Sequence, residues 1–108
     1  MSRYKSARSK ACDVSKEVRN KVLERDGHKC IFCPSHNNIT MAHYISRGAG
    51  GLGIEQNIAC VCIQCHHNLD HTSNRDTMLC TFKQYLNSHY PSFGDENRIY
   101  DRRIWLKE

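Results

Sequence analysis

Two Cys-x-x-Cys pairs bracket the central third of this 108-residue chain, and they constrain its fold more than any other feature. The pairs are Cys30/Cys33 and Cys62/Cys65. Four thiolates in two close pairs are typical of a tetrahedral Zn²⁺ site, and metal binding contributes free energy of folding that a small core lacks. An odd total of seven cysteines argues against a secreted disulfide framework. We therefore expect these four cysteines to bind one structural Zn²⁺ in a reducing compartment.

The composition favours one small domain that is not in a membrane. Only 39% of the residues are apolar, so the chain can bury a modest core. No apolar run approaches the roughly 20 residues that span a bilayer, and the first residues do not resemble an export signal. We expect a soluble, cytoplasmic protein. Of the remaining cysteines, Cys60 and Cys80 are expected to be small buried hydrophobes, and Cys12 to belong to a tail.

The net charge of +5 is unevenly distributed along the chain. The first 29 residues hold nine Lys or Arg against four Asp or Glu, which accounts for the whole excess. A basic segment beside a metal site favours a polyanionic partner such as DNA, because phosphate neutralisation and counterion release drive such binding. A solvated, mildly basic surface explains the charge alone equally well.

Residue patterns predict a flexible basic tail over residues 1–12 and one domain over 13–108. A helix capped by Asp13 or Ser15 and running to about Asp26 would place valines on one face and end at Gly27. Residues 39–45 and 58–61 are predicted to pair as antiparallel strands, and residues 66–71 and 77–89 to form helices. The segment 95–108 is short and mixed, and its candidate packing residues are Ile99, Tyr100, Ile104 and Trp105.

The order of the motifs resembles that of the HNH endonucleases of the His-Me finger class, particularly small phage and prophage members. The resemblance rests on both cysteine pairs and on Ala42-His43-Tyr44-Ile45-Ser46-Arg47, Gly50-Gly51, Asn57 and His66. It runs from the helix before Cys30 to the Tyr90-Pro91 turn, which is most of the chain. It implies an α+β fold, a small zinc-stabilised ββα-metal domain with flanking helices, in which a hairpin, a long loop and one helix surround a catalytic divalent cation. It also implies DNA as substrate and the cytoplasm of a bacterial host cell as location.

Three residues match the catalytic positions of this family. His43 matches the general base, and a side chain with a pKa near 6.5 can accept a proton at pH 7. Asn57 matches the central asparagine, whose amide can hold the loop and orient the base because it both donates and accepts hydrogen bonds. His66 matches the last histidine. His66 and Asp70 stand four residues apart on one helix face and are predicted to bind the catalytic cation, Mg²⁺ or Mn²⁺.

Several details of the site stay open at this stage. His67 and His71 form a competing pair, rotated about 100° around the helix. The family commonly has an Asp or His metal ligand just before the general base, and this chain has Ala42 there. His67 or His36 could substitute as the ligand, or waters and substrate phosphate could complete the site. A third alternative is that catalysis is impaired. Arg47 is expected to contact a phosphate, because a planar guanidinium suits that role, and His67 could contact DNA.

The sequence therefore predicts an endonuclease that hydrolyses DNA with a single catalytic cation. Two alternatives are a catalytically impaired zinc-knuckle DNA-binding protein, and a packaging accessory that contacts a phage terminase. The alanine at position 42 favours impairment, whereas intact His43, Asn57 and His66 favour the enzyme.

Overall fold

The computed structural model describes residues 6–101, which form an α+β domain around a two-stranded antiparallel sheet. Short 3₁₀ turns lie at Arg47–Ala49 and Asp95–Arg98. None of the helices in this described part is long and apolar enough to cross a membrane. The elements in chain order are α1 (Ala7–Cys12), α2 (Lys16–Asp26), β1 (Ile39–His43), β2 (Ile58–Cys62), α3 (Ile63–His71) and α4 (Arg75–His89).

The predicted antiparallel hairpin is confirmed, with Ile39 opposite Cys62 and His43 opposite Ile58. β1 ends two residues earlier than predicted, because Asn57 takes over the pairing at that end. Its carbonyl oxygen accepts from the Tyr44 N–H at 2.8 Å, and its side-chain oxygen accepts from the Ile45 N–H at 2.9 Å. At this end of the hairpin, a side-chain hydrogen bond of Asn57 therefore replaces the regular backbone pairing of the two strands.

Each face of the sheet packs against different helices, since alternate strand residues point to opposite sides. On one face Ile58 and Cys60 form a buried cluster with Val22 of α2. On the other face the strands pack against α3 and α4, and the buried members of that cluster are Cys30, Ala42, Ala59, Val61, Cys62, Leu69, Phe82 and Leu86. The sheet is thus a central layer between α2 and the α3–α4 pair.

Helix α2 has the ends that the sequence predicts. The Ser15 hydroxyl accepts from the Val18 N–H at 3.1 Å and satisfies a free donor of the first turn. Gly27 follows the helix with φ of 68°, in the left-handed region that glycine adopts without a steric penalty. Local sequence signals alone therefore determine both ends of this helix.

A buried ion pair at the end of α2 fixes the helix to the rest of the domain. Arg25 donates to both carboxylate oxygens of Asp26, at 2.6 and 3.0 Å, and to the carbonyl of Ile58 at 2.7 Å. Asp26 also accepts from the backbone N–H of Cys60 and from the hydroxyl of Tyr85. α2, β2 and α4 are thereby joined at one point, which holds the strand that leads into the second cysteine pair.

The structure differs from the predicted tail, because residues 7–12 form α1. Cys12 at its end is only 2% exposed, so it is a packing residue rather than part of a tail. α1 docks on the long loop, where the Gly53 N–H donates to the carbonyl of Ala11 at 3.0 Å. A Cβ on Gly53 would lie 2.0 Å from the carbonyl oxygen of Asp13, so this close approach requires glycine. Residues 1–5 of the predicted tail lie outside the described part.

Several smaller predictions also needed correction. Cys80, predicted to be buried, is exposed on α4, whereas Cys60 is fully buried as predicted. α3 begins three residues before His66, and α4 begins two residues earlier than predicted. In the C-terminal segment the buried residue is Arg98, at 1% exposure, while Ile99 is 38% exposed. Ile104 and Trp105 lie outside the described residues.

Candidate metal centres and catalytic cleft

The four predicted zinc ligands converge in space. The Sγ atoms of Cys30, Cys33, Cys62 and Cys65 all lie within 4.8 Å of one another. Cys33 Sγ is 3.7 Å from Cys62 Sγ and 3.8 Å from Cys65 Sγ. Zn–S distances of about 2.3 Å place the sulfur atoms of a tetrahedron about 3.8 Å apart. The spacing therefore suits a Zn²⁺ ion, and it is far from the roughly 2.05 Å of a disulfide.

The backbone around both pairs presents the sulfur atoms to one point. Cys62 is the N-cap of α3, and its sulfur accepts from the Cys65 N–H at 3.4 Å, while Cys30 Sγ accepts from the Phe32 N–H at 3.3 Å. The first knuckle is tied to the sheet, since the Ile31 N–H donates to the carbonyl of Cys60 at 2.9 Å. Burial and then the neighbouring thiols raise the pKa of Cys65, and a bound Zn²⁺ would favour its thiolate form.

Four of the other predicted site residues, His43, Arg47, His66 and Asp70, line a separate cleft of about 310 Å³. It brings together side chains of β1, the long loop and α3. His67, predicted as a possible DNA contact, does not line it. The lining residues are Met41, His43, Ser46, Arg47, His66 and Asp70.

A larger cleft of about 410 Å³ lies near the end of α4. It holds the carboxylates Asp95 and Glu96, and Asp95 already bonds to Lys83 at 3.3 Å and to Arg98 at 2.8 Å. Of these two clefts, only the smaller one is lined by histidines together with a carboxylate, so we place the candidate chemistry there.

The hydrogen bond of His43 determines which of its ring nitrogens is available. Nε2 lies 2.8 Å from the carbonyl oxygen of Cys12. A carbonyl only accepts, so Nε2 carries the proton in the neutral ring and Nδ1 keeps a free electron pair. α1 therefore orients this histidine, a role that the sequence did not indicate. Burial, and secondarily the charge of Arg47, lowers the pKa of His43 despite the opposing hydrogen bond to Cys12. The neutral form prevails at pH 7.

Asn57 is fully buried and holds the long loop. Its amide nitrogen donates to the carbonyls of Ile45, at 3.1 Å, and Leu52, at 2.8 Å, and its oxygen accepts from the Ile45 N–H. Of the two roles expected for this residue, the structure shows the bonding across the loop. The histidine tautomer is set by Cys12 instead.

A hydrogen-bond chain orients His66 in the same way. The Thr40 hydroxyl donates to the carbonyl of Val61 at 2.7 Å and so accepts from His66 Nδ1, also at 2.7 Å. In the neutral ring Nε2 therefore keeps its electron pair, which is the state that a metal ligand needs. Thr40 was missed in the sequence analysis. The available signal was its place on the predicted strand, three residues before His43.

His66 Nε2 faces a carboxylate oxygen of Asp70 at 3.6 Å. With the Thr40 bond in place, a neutral His66 has no proton to share with Asp70, and two electron-pair donors face each other. A proton or a cation between them removes this conflict. Within residues 6–101, the cysteine cluster is the one group of three or more His, Cys, Asp or Glu side chains that converge. A cation here would thus have two protein ligands, and this donor set of imidazole and carboxylate fits one.

The side chains considered as a third ligand do not reach this cleft. Ala42 is fully buried in the apolar cluster with Leu69 and Phe82. His67 and His71 pack against each other, with ring centroids 4.8 Å apart, and neither lines the cleft. His36 is exposed and does not line it either.

Arg47 extends beside the cleft and is paired with an acidic residue of the chain. Its Nη1 atom lies 2.9 Å from Asp13 Oδ1, and the two side chains are 46% and 34% exposed. Arg8 of α1 donates to the carbonyls of Arg47 and Gly48, at 3.3 and 2.9 Å. Neither contact was expected from the sequence, because no local pattern links Arg8 or Asp13 to residue 47.

No protein-family model matches this chain, and no curated protein matches it either. The residues themselves therefore carry any assignment of function: a four-cysteine cluster that could hold zinc, and a cleft with two oriented histidines, a carboxylate and an arginine.

Proposed function

We propose that this protein is a metal-dependent DNA endonuclease of the HNH type, built as a zinc-stabilised ββα-metal domain. One observation carries the proposal: two histidines in one cleft have opposite proton placement. His43 has Nδ1 free to accept a proton, and His66 has Nε2 free to bind a cation. Phosphodiester hydrolysis needs both functions, a base to activate water and a cation near the phosphate. The order of motifs in the sequence supports the same assignment.

Four residues of the cleft have distinct roles in this scheme. His43 accepts the proton of the attacking water at Nδ1, while Cys12 holds the ring from the other side. His66 and Asp70 hold a divalent cation, Mg²⁺ or Mn²⁺, and Arg47 binds a phosphate oxygen. When bound, the cation stabilises negative charge on the phosphate and the leaving oxygen. Asn57 keeps the loop that carries Arg47 in place.

Cleavage of supercoiled plasmid by the zinc-loaded protein tests this function. We expect cleavage with added Mg²⁺ or Mn²⁺, and a loss of about 10²–10⁴-fold for His43→Ala. His71→Ala is the matched control, because it removes an imidazole outside the cleft, and its rate should equal that of wild type. Undiminished cleavage by His43→Ala would remove this residue from the mechanism.

The cation ligands can be tested through the residue that orients one of them. Thr40→Val keeps the shape of the side chain but removes the acceptor for His66 Nδ1. Loss of such an outer hydrogen bond typically costs about 10–100-fold in metal affinity or activity. We expect Thr40→Val to need a higher Mn²⁺ concentration for half-maximal cleavage, and Asp70→Asn to need more still. Unchanged midpoints in both variants would place the cation elsewhere.

A catalytically impaired DNA-binding protein is the second candidate, and the side chain at position 42 favours it. Ala42 supplies no ligand, and two protein ligands give a cation weak affinity. Binding of duplex DNA without cleavage under every divalent cation tested would support this candidate over the enzyme. A phage terminase as partner remains a prediction from sequence resemblance.

A further inference from the structure

A second cleft, of about 250 Å³, lies directly beside the catalytic one. The two clefts share Arg47, which lines both. Cys12, whose carbonyl orients the catalytic histidine, also lines the second cleft. Its lining residues are Ser6, Arg8, Ser9, Cys12, Arg47 and Gly48. The second cleft is therefore continuous with the proposed site of phosphate hydrolysis.

Arg8 gives the second cleft a fixed positive charge. Its Nη2 atom donates to the carbonyls of Arg47 and Gly48, so the guanidinium is attached to the loop that separates the two clefts. Carbonyl oxygens position a guanidinium without neutralising it, and three of the five N–H donors of arginine lie outside that nitrogen. A planar cation with donors to spare suits a phosphate oxygen.

Arg47 holds an internal anion at the boundary between the clefts. Asp13 bonds to it at 2.9 Å, and both side chains are partly exposed. An ion pair this exposed contributes only about 0–1 kcal/mol, so another anion can replace the carboxylate at small cost. A phosphodiester has the same charge as the carboxylate and can accept two N–H bonds from one guanidinium.

We propose that this second cleft, which Arg8 lines, binds the DNA backbone phosphate next to the one that is cut. Asp13 occupies Arg47 in the free protein and is displaced by substrate phosphate. The inference rests on the proposed nuclease function, and it adds a second phosphate subsite, Arg8, and an internal competitor, Asp13. The helix α1, outside the predicted domain, thus belongs to the substrate-binding surface.

Binding of a fluorescein-labelled DNA duplex, measured by anisotropy at several salt concentrations, tests the subsite. All proteins carry His43→Ala and no divalent cation is added, so that cleavage does not interfere with the binding measurement. Arg8→Gln should weaken binding and lower the slope of log K against log salt by about 0.9, the value for one phosphate contact. Arg19→Gln, on the exposed side of α2, is the matched control for lost charge. Equal effects of the two substitutions would overturn the subsite.

Asp13→Asn tests the competitor with an opposite expected sign. It removes the negative charge but keeps the size of the side chain, and we expect binding to tighten by about two- to fivefold, as release of a weak ion pair implies. Glu24→Gln changes the net charge equally on an exposed part of α2. A gain no larger than that of Glu24→Gln would overturn the role of Asp13.

Two further measurements keep these outcomes separate from folding and from catalysis. The melting temperature of each variant is measured. If Arg8→Gln lowers it, Arg8→Lys is used instead, because it keeps the positive charge and should keep the wild-type slope of log K against log salt. A lower slope for Arg8→Lys would overturn the subsite. Cleavage by proteins with intact His43 tests the nuclease proposal alone. Normal cleavage without the Arg8 and Asp13 effects would reject only the subsite.

Discussion

Loss of one zinc ligand should destabilise the whole domain, and Cys65→Ser is the sharpest test. Cys65 lies at the start of α3, and its Sγ atom is 3.8 Å from Cys33 Sγ. A zinc ion bound by both sulfur atoms would therefore link the first cysteine pair to the helix that carries His66 and Asp70. A serine hydroxyl is a poor ligand for Zn²⁺ at pH 7, and the remaining three thiols would have an incomplete tetrahedron.

The expected magnitude follows from the free energy of zinc binding. Structural Zn²⁺ contributes about 10–16 kcal/mol at pH 7, or about 2.5–4 kcal/mol per thiolate if the four ligands share it equally. Unfolding entropy near 60 °C is about 2.1 cal/mol/K per residue, which gives about 0.23 kcal/mol/K for the 108 residues of this chain. Cys65→Ser should therefore lower the melting temperature by about 11–18 °C.

Circular dichroism melts together with metal analysis provide the assay. Cys80→Ser is the matched control, because Cys80 is exposed and lies outside the cluster. The control should keep one zinc per chain and melt like wild type, whereas a strong chelator should unfold wild type. A wild-type protein that contains no zinc and melts at the same temperature in chelator would refute the reasoning.

Four further predictions concern individual side chains. Asn57→Ala leaves three backbone groups without their partner, one buried and two partly buried, and should lower the free energy of unfolding by about 3 kcal/mol, measured by urea titration; a change below about 1 kcal/mol would contradict its role in the loop. In the folded, zinc-loaded protein, iodoacetamide should alkylate the exposed Cys80 but not Cys60, because burial raises the pKa of the Cys60 thiol to about 12. Mass spectrometry that finds Cys60 modified before Cys80 would contradict this. The cleavage rate should hold at pH 6.5 and fall only at lower pH, because the base works when neutral and burial lowers the pKa of His43; a midpoint at or above 6.5 would argue against it. Ala42→Asp buries a carboxylate and should cost about 4 kcal/mol of stability without divalent cation. Added Mn²⁺ should not restore this stability, because position 42 lies in the apolar cluster with Leu69 and Phe82; a melting temperature that Mn²⁺ raises more than that of wild type would place position 42 beside the cation.

Much of the fold was predictable because its signals are local. A serine cap and a following glycine set the ends of α2, and alternation of apolar residues set the strands of the hairpin. The predictions that were wrong depend on distant contacts. Cys12 is buried because α1 docks against the glycine loop, and Cys80 is exposed because the buried face of α4 is formed by Phe82 and Leu86.

By itself the sequence predicted the four cysteines that could hold zinc, since each short Cys-x-x-Cys spacing keeps its own two thiols close together. It also determined that His66 and Asp70 share a helix face. Only the tertiary structure decided which ring nitrogens are free. Those atoms are fixed by partners 31 residues away, in the case of His43 and Cys12, and 26 residues away, in the case of His66 and Thr40. No local pattern encodes such pairings, because they exist only after the sheet has brought α1, β1 and α3 together.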